Sequence, residues 1–89
     1  MASCRVKVGG AVQGVFFRAS AKAEADRLGL RGWIKNTSNG EVLVTATGNQ
    51  VQLDLFIDWC RLGPPHARVE AIEIEYISEQ AFEDFSILR

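Results

Sequence analysis

Six consecutive residues carry most of the chemistry legible in this chain: Gln13-Gly14-Val15-Phe16-Phe17-Arg18. They stand between an alternating apolar–polar stretch and a helical pattern, so they read as a short loop joining a strand to a helix. Such a junction aims successive backbone N–H groups outward at the positive end of the helix dipole. If the loop curls, those groups line a concavity suited to an anion, and Gly14 supplies the backbone freedom a curl needs. Arg18 at the helix start adds a permanent cation whose planar donor fork matches phosphate oxygens. The same residues also fit an ordinary strand-to-helix turn with a surface arginine, because short motifs recur by chance. From the loop alone both readings stay open.

Elsewhere the chemistry is sparse. His66, the sole histidine, follows two prolines and reads as a surface residue. Cys4 and Cys60 fall on apolar faces and read as core packing with both thiols reduced, which favours the cytosol. Two distant cysteines make no disulfide framework, and with one histidine they make no metal set. Trp33 and Trp59 read as packing residues with partly exposed rings. Glu70, Glu73 and Glu75 form an acidic run on a solvated strand face, where an anion would be repelled. The net charge of −1 gives no general pull on nucleic acid or an anionic membrane, so an anion site must be built locally. At 89 residues and 47% hydrophobic content, a single domain spanning 1–89 with one shared core is expected. No apolar run approaches the roughly 18 residues of a transmembrane helix, and the first residues lack a signal-like hydrophobic stretch.

The elements that must hold the loop follow from patterning. Cys4, Val6 and Val8 alternate with Arg5 and Lys7, a half-buried strand, and Val12 resumes the apolar phase after Gly9-Gly10. A helix from about Arg18 to Leu28 buries Ala21, Ala25 and Leu28, with Phe17 one turn before. Gly29 and Leu30 suit a Schellman stop. Leu30 to Lys35 and Glu41 to Thr47 read as a hairpin around the turn Asn36-Thr37-Ser38-Asn39-Gly40, in which Thr37 and Ser38 serve turn chemistry. Asn49 is a good N-cap for a second helix reaching about Leu62. That helix has two rival apolar stripes, Leu53/Phe56/Ile57/Cys60 and Val51/Leu55/Trp59/Leu62, and Gly63-Pro64-Pro65 ends it. Val69 to Ile77 is a strand whose apolar phase switches between Ala71 and Ile72, which predicts a bulge or two covered faces. Phe85, Ile87 and Arg89 alternate in a short last strand. The order predicts an α+β ferredoxin-like βαββαβ sandwich: an antiparallel sheet, both helices on one face, right-handed crossovers and a short C-terminal strand. That fold by itself says little about activity.

The stretch Gly10-Ala11-Val12-Gln13-Gly14-Val15-Phe16-Phe17-Arg18 resembles the acylphosphatase pattern Gly-x-Val-Gln-Gly-Val-x-Phe-Arg. Gly32-Trp33-Ile34-Lys35-Asn36, followed by Gly40-Glu41-Val42 and Gly48, resembles that family's second motif. Pro64-Pro65-His66-Ala67-Arg68-Val69 resembles its usual stretch after the second helix. The likeness runs collinearly from about Cys4 to Tyr76. It departs at Ile34, where Val or Ala is commoner, at Ala11, where Arg is frequent, and at Phe16, where many relatives have Gly.

The resemblance implies hydrolysis of the carboxyl–phosphate bond of an acyl phosphate, releasing carboxylate and inorganic phosphate. It implies that Arg18 binds the phosphoryl group and that Gly14, Val15, Phe16, Phe17 and Arg18 form the cradle through their main chain. Asn36 is implied to orient the attacking water, and no metal or cofactor is required. The chemistry is consistent with so few groups. The departing carboxylic acid has a pKa of about 4 to 5, so its oxygen leaves unprotonated at pH 7 and no general acid is needed. Charge in the loose transition state spreads over three oxygens, where fixed donors act best, and the remaining task is placing water in line. Without the motif, Asn36 at a strand end would read as a turn cap. The expected enzyme is a cytoplasmic monomer acting on a small molecule, with inorganic phosphate as product and competitive inhibitor and with no nucleic-acid or membrane partner. A non-catalytic anion-binding or regulatory module of the same fold is the alternative. An RNA-binding reading fails on residues 41–47, which carry no aromatic for base stacking.

Overall fold

In the computed structural model, which describes residues 1–89, the chain runs β1 (Ala2–Ala11), α1 (Phe17–Leu28), β2 (Arg31–Asn36), β3 (Val42–Gly48), α2 (Gln50–Leu62), β4 (Arg68–Ile77) and β5 (Phe85–Ile87). The sheet order is β4-β1-β3-β2-β5. β1 pairs antiparallel with β3 and β4, and β2 pairs antiparallel with β3. These pairings make β1 and β2 parallel to each other, so both finish at the same end of the sheet. Register fixes the point: Val8 of β1 and Asn36 of β2 both face Val42 of β3. The loop after β1 and the last residue of β2 are therefore neighbours by topology.

β5 pairs parallel with β2. The sheet is thus mixed, which corrects the all-antiparallel expectation. The cause lies in the path of the chain. β4 is one edge and β5 the other, so the connection must cross the sheet. It does so over the side opposite the core, where Ser3 Oγ and Thr47 Oγ1 lie 2.6 Å apart, Gln80 N donates to Ser3 Oγ (2.9 Å) and Thr47 Oγ1 donates to Gln80 O (2.9 Å). After this crossing the chain reverses and enters β5 along the direction of β2.

The core lies on the other face. Cys4, Val6 and Val8 of β1, Ile34 of β2, and Val42, Val44 and Ala46 of β3 pack against Phe17, Ala21 and Ala25 of α1 and Leu53, Phe56, Ile57 and Cys60 of α2. The second helix thus resolves its two stripes in favour of the one that keeps Asp54 and Asp58 exposed, leaving Val51, Leu55 and Leu62 outside. α1 stops as expected: Gly29 N donates to Asp26 O (3.1 Å) and Leu30 N to Ala25 O (2.9 Å), the paired bonds of a Schellman motif. Asn49 caps α2 reciprocally with Gln52.

The phase switch in β4 is a bulge. Gly9 faces Ala71 and Gly10 faces Val69, so Glu70 is the extra residue. Gly10 makes this possible, with φ 123°; a Cβ there would sit 2.2 Å from the Arg68 carbonyl. β1 therefore runs through its glycines to Ala11 instead of breaking at them. One polar atom in the sheet, Thr45 Oγ1, is buried without a hydrogen-bond partner. No helix is long and apolar enough to cross a membrane.

Candidate active site

Buried Val12 anchors the chain as it leaves β1, and the loop then curls through two left-handed residues, Gly14 (φ 75°) and Phe16 (φ 63°). Phe16 is the N-cap of α1, and its carbonyl accepts from Ser20 N at 3.0 Å. Its side chain has no oxygen to offer the first turn, and that turn contains no acidic residue. None of the backbone N–H groups from Val15 to Ala19 finds an acceptor within the chain. Five successive donors thus stand free at the positive end of a helix, the arrangement that binds an anion. The left-handed backbone costs a residue bearing a β-carbon about 1–2 kcal/mol, so the curl holds strain at Phe16.

Arg18, in the first turn of α1, points into the same space. Its one hydrogen bond is long, Nη1 to the Leu88 carbonyl at 3.5 Å. The ion pairs of the chain are Arg5–Glu75, Lys22–Asp26 and Arg27–Glu24, so no carboxylate neutralises the Arg18 guanidinium. A cavity of about 320 Å³ opens here, lined by Gly14, Phe16, Phe17, Arg18, Asn36 and Arg89 among others. That volume is at the small end of ligand sites.

Asn36 closes β2, half-buried, and its carboxamide makes no hydrogen bond within the chain. The turn that follows does not use it. Thr37 does that work instead: Thr37 N donates to Glu41 O (2.9 Å), Glu41 N donates to Thr37 Oγ1 (3.1 Å), and the same hydroxyl bonds Asn39 Oδ1. An uncommitted amide facing a cavity is available to a water or a substrate oxygen. The structure therefore brings Gly14, Phe16, Phe17, Arg18 and Asn36 to one concavity. Val15 differs, because its side chain packs on the core and only its main chain faces the loop.

Two residues at the site had no role assigned from the sequence. Gln13 Nε2 donates to both Thr37 O (2.9 Å) and Glu41 O (2.8 Å), tying the loop to the hairpin that carries Asn36. Its place inside the first motif was visible, but nothing local tells which carbonyls a glutamine reaches. The sequence marked Arg89 as part of an alternating strand and left open whether the chain end reaches the site; β5 brings Ile87, and Arg89 just beyond it, to the cavity wall. Away from the site, His66 is exposed and both cysteines are buried as free thiols. Burial pushes the Cys4 thiol up to about 11 and raises Cys60 further.

Comparison with known proteins shows the family. The family model described as Acylphosphatase matches residues 4–87. An acylphosphatase of Rubrobacter xylanophilus is 49% identical over 71 residues, covering 80% of this chain but 64% of that relative, just under two thirds of its length. One of Methylococcus capsulatus is 41% identical over 90 residues, covering 100% of this chain and 98% of the relative. The crystal structure of acylphosphatase from Bacillus subtilis is similar with a TM-score of 0.97 at 36% identity, covering 100% of both chains.

Proposed function

The chain belongs to the acylphosphatase family, and from that premise we propose that Arg18 and the main-chain amides of Val15 to Arg18 grip the phosphoryl group of a small acyl phosphate while Asn36 places the attacking water. The activity is acylphosphatase activity, hydrolysis of the carboxyl–phosphate anhydride. One observation supports the assignment of roles above the rest: free N–H donors, an unpaired guanidinium and an uncommitted carboxamide converge on one cavity.

The steps follow from these groups. The phosphoryl oxygens take the N–H donors and the guanidinium fork, which are already oriented and need no reorganisation as charge builds. The Asn36 carboxamide holds a water opposite the departing carboxylate, a positioning effect that needs no strong base. The water oxygen bonds to phosphorus, the P–O bond to the acyl group breaks, and the carboxylate leaves without a proton. Inorganic phosphate then occupies the same donors, so we expect it to inhibit competitively. We further place the enzyme in the cytosol as a single-domain monomer with both thiols reduced.

The test is benzoyl phosphate hydrolysis by wild type, Arg18→Ala and Asn36→Ala, with inorganic phosphate inhibition measured alongside. Asn36→Ala keeps phosphate affinity and loses turnover by roughly 100-fold or more. Arg18→Ala loses both. A wild-type rate in either variant removes that residue from the mechanism.

A further inference from the structure

Phe16 breaks three local rules at once. It is the one non-glycine residue with positive φ, at φ 63° and ψ 24°. It occupies a helix N-cap, a position that favours a short side chain able to accept from the first turn, and makes no such bond. Its ring is 79% exposed, although the other four phenylalanines are buried or half-buried. Strain and exposure held together at the edge of a site are where functional constraint is sought.

The cavity beside it has a mixed lining. Gly14, Arg18, Asn36 and Arg89 supply its polar lining. Val12, Phe16, Phe17, Ala19 and Ile87 supply its apolar lining. An acyl phosphate has the same division, a charged phosphoryl end and an acyl group of variable character. With the phosphoryl end on Arg18 and the loop amides, the acyl group is left to the apolar lining and the exposed Phe16.

We propose that the Phe16 side chain selects the acyl group, giving this enzyme a preference for apolar, and above all aromatic, acyl phosphates over small ones. The assignment rests on the phosphoryl site described above. The left-handed backbone turns the ring to the mouth of the cavity, where it meets the acyl group without touching the reacting phosphorus.

The experiment measures kcat/KM for benzoyl phosphate and for acetyl phosphate in wild type, Phe16→Gly and Phe16→Leu. The ratio of the two values cancels the phosphoryl chemistry they share. Phe16→Gly keeps the fold, because glycine takes this backbone conformation without strain, and thermal unfolding verifies it. The benzoyl-to-acetyl ratio falls roughly 3- to 10-fold in Phe16→Gly, the range of one aromatic contact. Phe16→Leu, which keeps an apolar side chain, falls less. A ratio within twofold of wild type in Phe16→Gly, or equal ratios in the two variants, overturns the proposal. Wild type that hydrolyses neither compound would instead overturn the phosphoryl-site reading.

Discussion

Replacing Gln13 by alanine removes the one side chain that joins the β1–α1 loop to the β2–β3 turn. Two hydrogen bonds go, at 2.9 and 2.8 Å. Each contributes about 0.5–1.5 kcal/mol net, so the loss is roughly 1–3 kcal/mol. No penalty for stranded carbonyls is added, because Glu41 O still accepts from Thr37 N (2.9 Å) and Thr37 O from Gly40 N (3.3 Å). In a domain of this size each kcal/mol moves Tm by about 4–8 °C, so a fall of roughly 5–20 °C is expected. The kinetic consequence is more specific. On the proposed mechanism the loop grips the phosphoryl group and the end of β2 carries Asn36, and a misplacement of about 1 Å between reacting groups can cost roughly 100-fold. Benzoyl phosphate turnover below the variant's Tm is therefore reduced about 10- to 100-fold, while the inhibition constant for inorganic phosphate, set by the loop amides and Arg18 without Asn36, moves no more than about threefold. Gln13→Glu fares no better than alanine at pH 7, since a carboxylate cannot donate to two carbonyls. A lower Tm with unchanged kcat would refute the reasoning, and so would a phosphate constant that weakens in step with turnover.

Two further outcomes concern stability. Thr45→Val removes a buried hydroxyl that has no partner and fills the same space, so urea unfolding shows a gain of about 1 kcal/mol; a loss would mean the hydroxyl is satisfied in solution. The cysteines make stability fall at alkaline pH. Burial raises the Cys4 thiol to about 11, and burial, with Cys4 and Glu24 nearby, raises Cys60. The native state then keeps protons that the unfolded chain releases, so stability is flat below about 8.5, the ordinary thiol value, and declines from there toward 11. Denaturant midpoints from pH 7 to pH 10.5 test this, and a flat profile would contradict it. The same burial leaves both thiols unlabelled by a thiol reagent at pH 8 until the protein unfolds.

Much of the fold was legible because neighbouring residues determine it. The Schellman stop at Gly29, the N-cap at Asn49 and the buried face Phe17/Ala21/Ala25 all depend on residues within one or two turns. The bulge in β4 was legible as a phase switch, though its position at Glu70 required the partner strand. β5 was harder. Its alternation marked a strand, but its parallel pairing with β2 depends on how 78–84 crosses the sheet, and no local signal encodes that route. At the site, residue type alone left Arg18 and the glycine-bearing loop open to an ordinary turn, and the motif match singled them out. Asn36 did not, because a turn asparagine looks alike whether it caps or waits; only Thr37 taking the turn's hydrogen bonds separates the two. The strain at Phe16 was equally hidden, since nothing in a phenylalanine forecasts positive φ.

The two rims of the sheet are protected by different means. At one, β5 is only three residues long, Phe85–Ile87, too short to recruit a foreign strand. At the other, β4 offers ten residues, Arg68–Ile77, with main-chain groups open on its outer side. The exposed Glu70, Glu73 and Glu75 stand along it. A second copy paired parallel and in register along this rim would bring the same glutamates together, and like charges across paired strands repel. Charge thus does for the long rim what brevity does for the short one, keeping a half-open sheet from templating aggregates of itself.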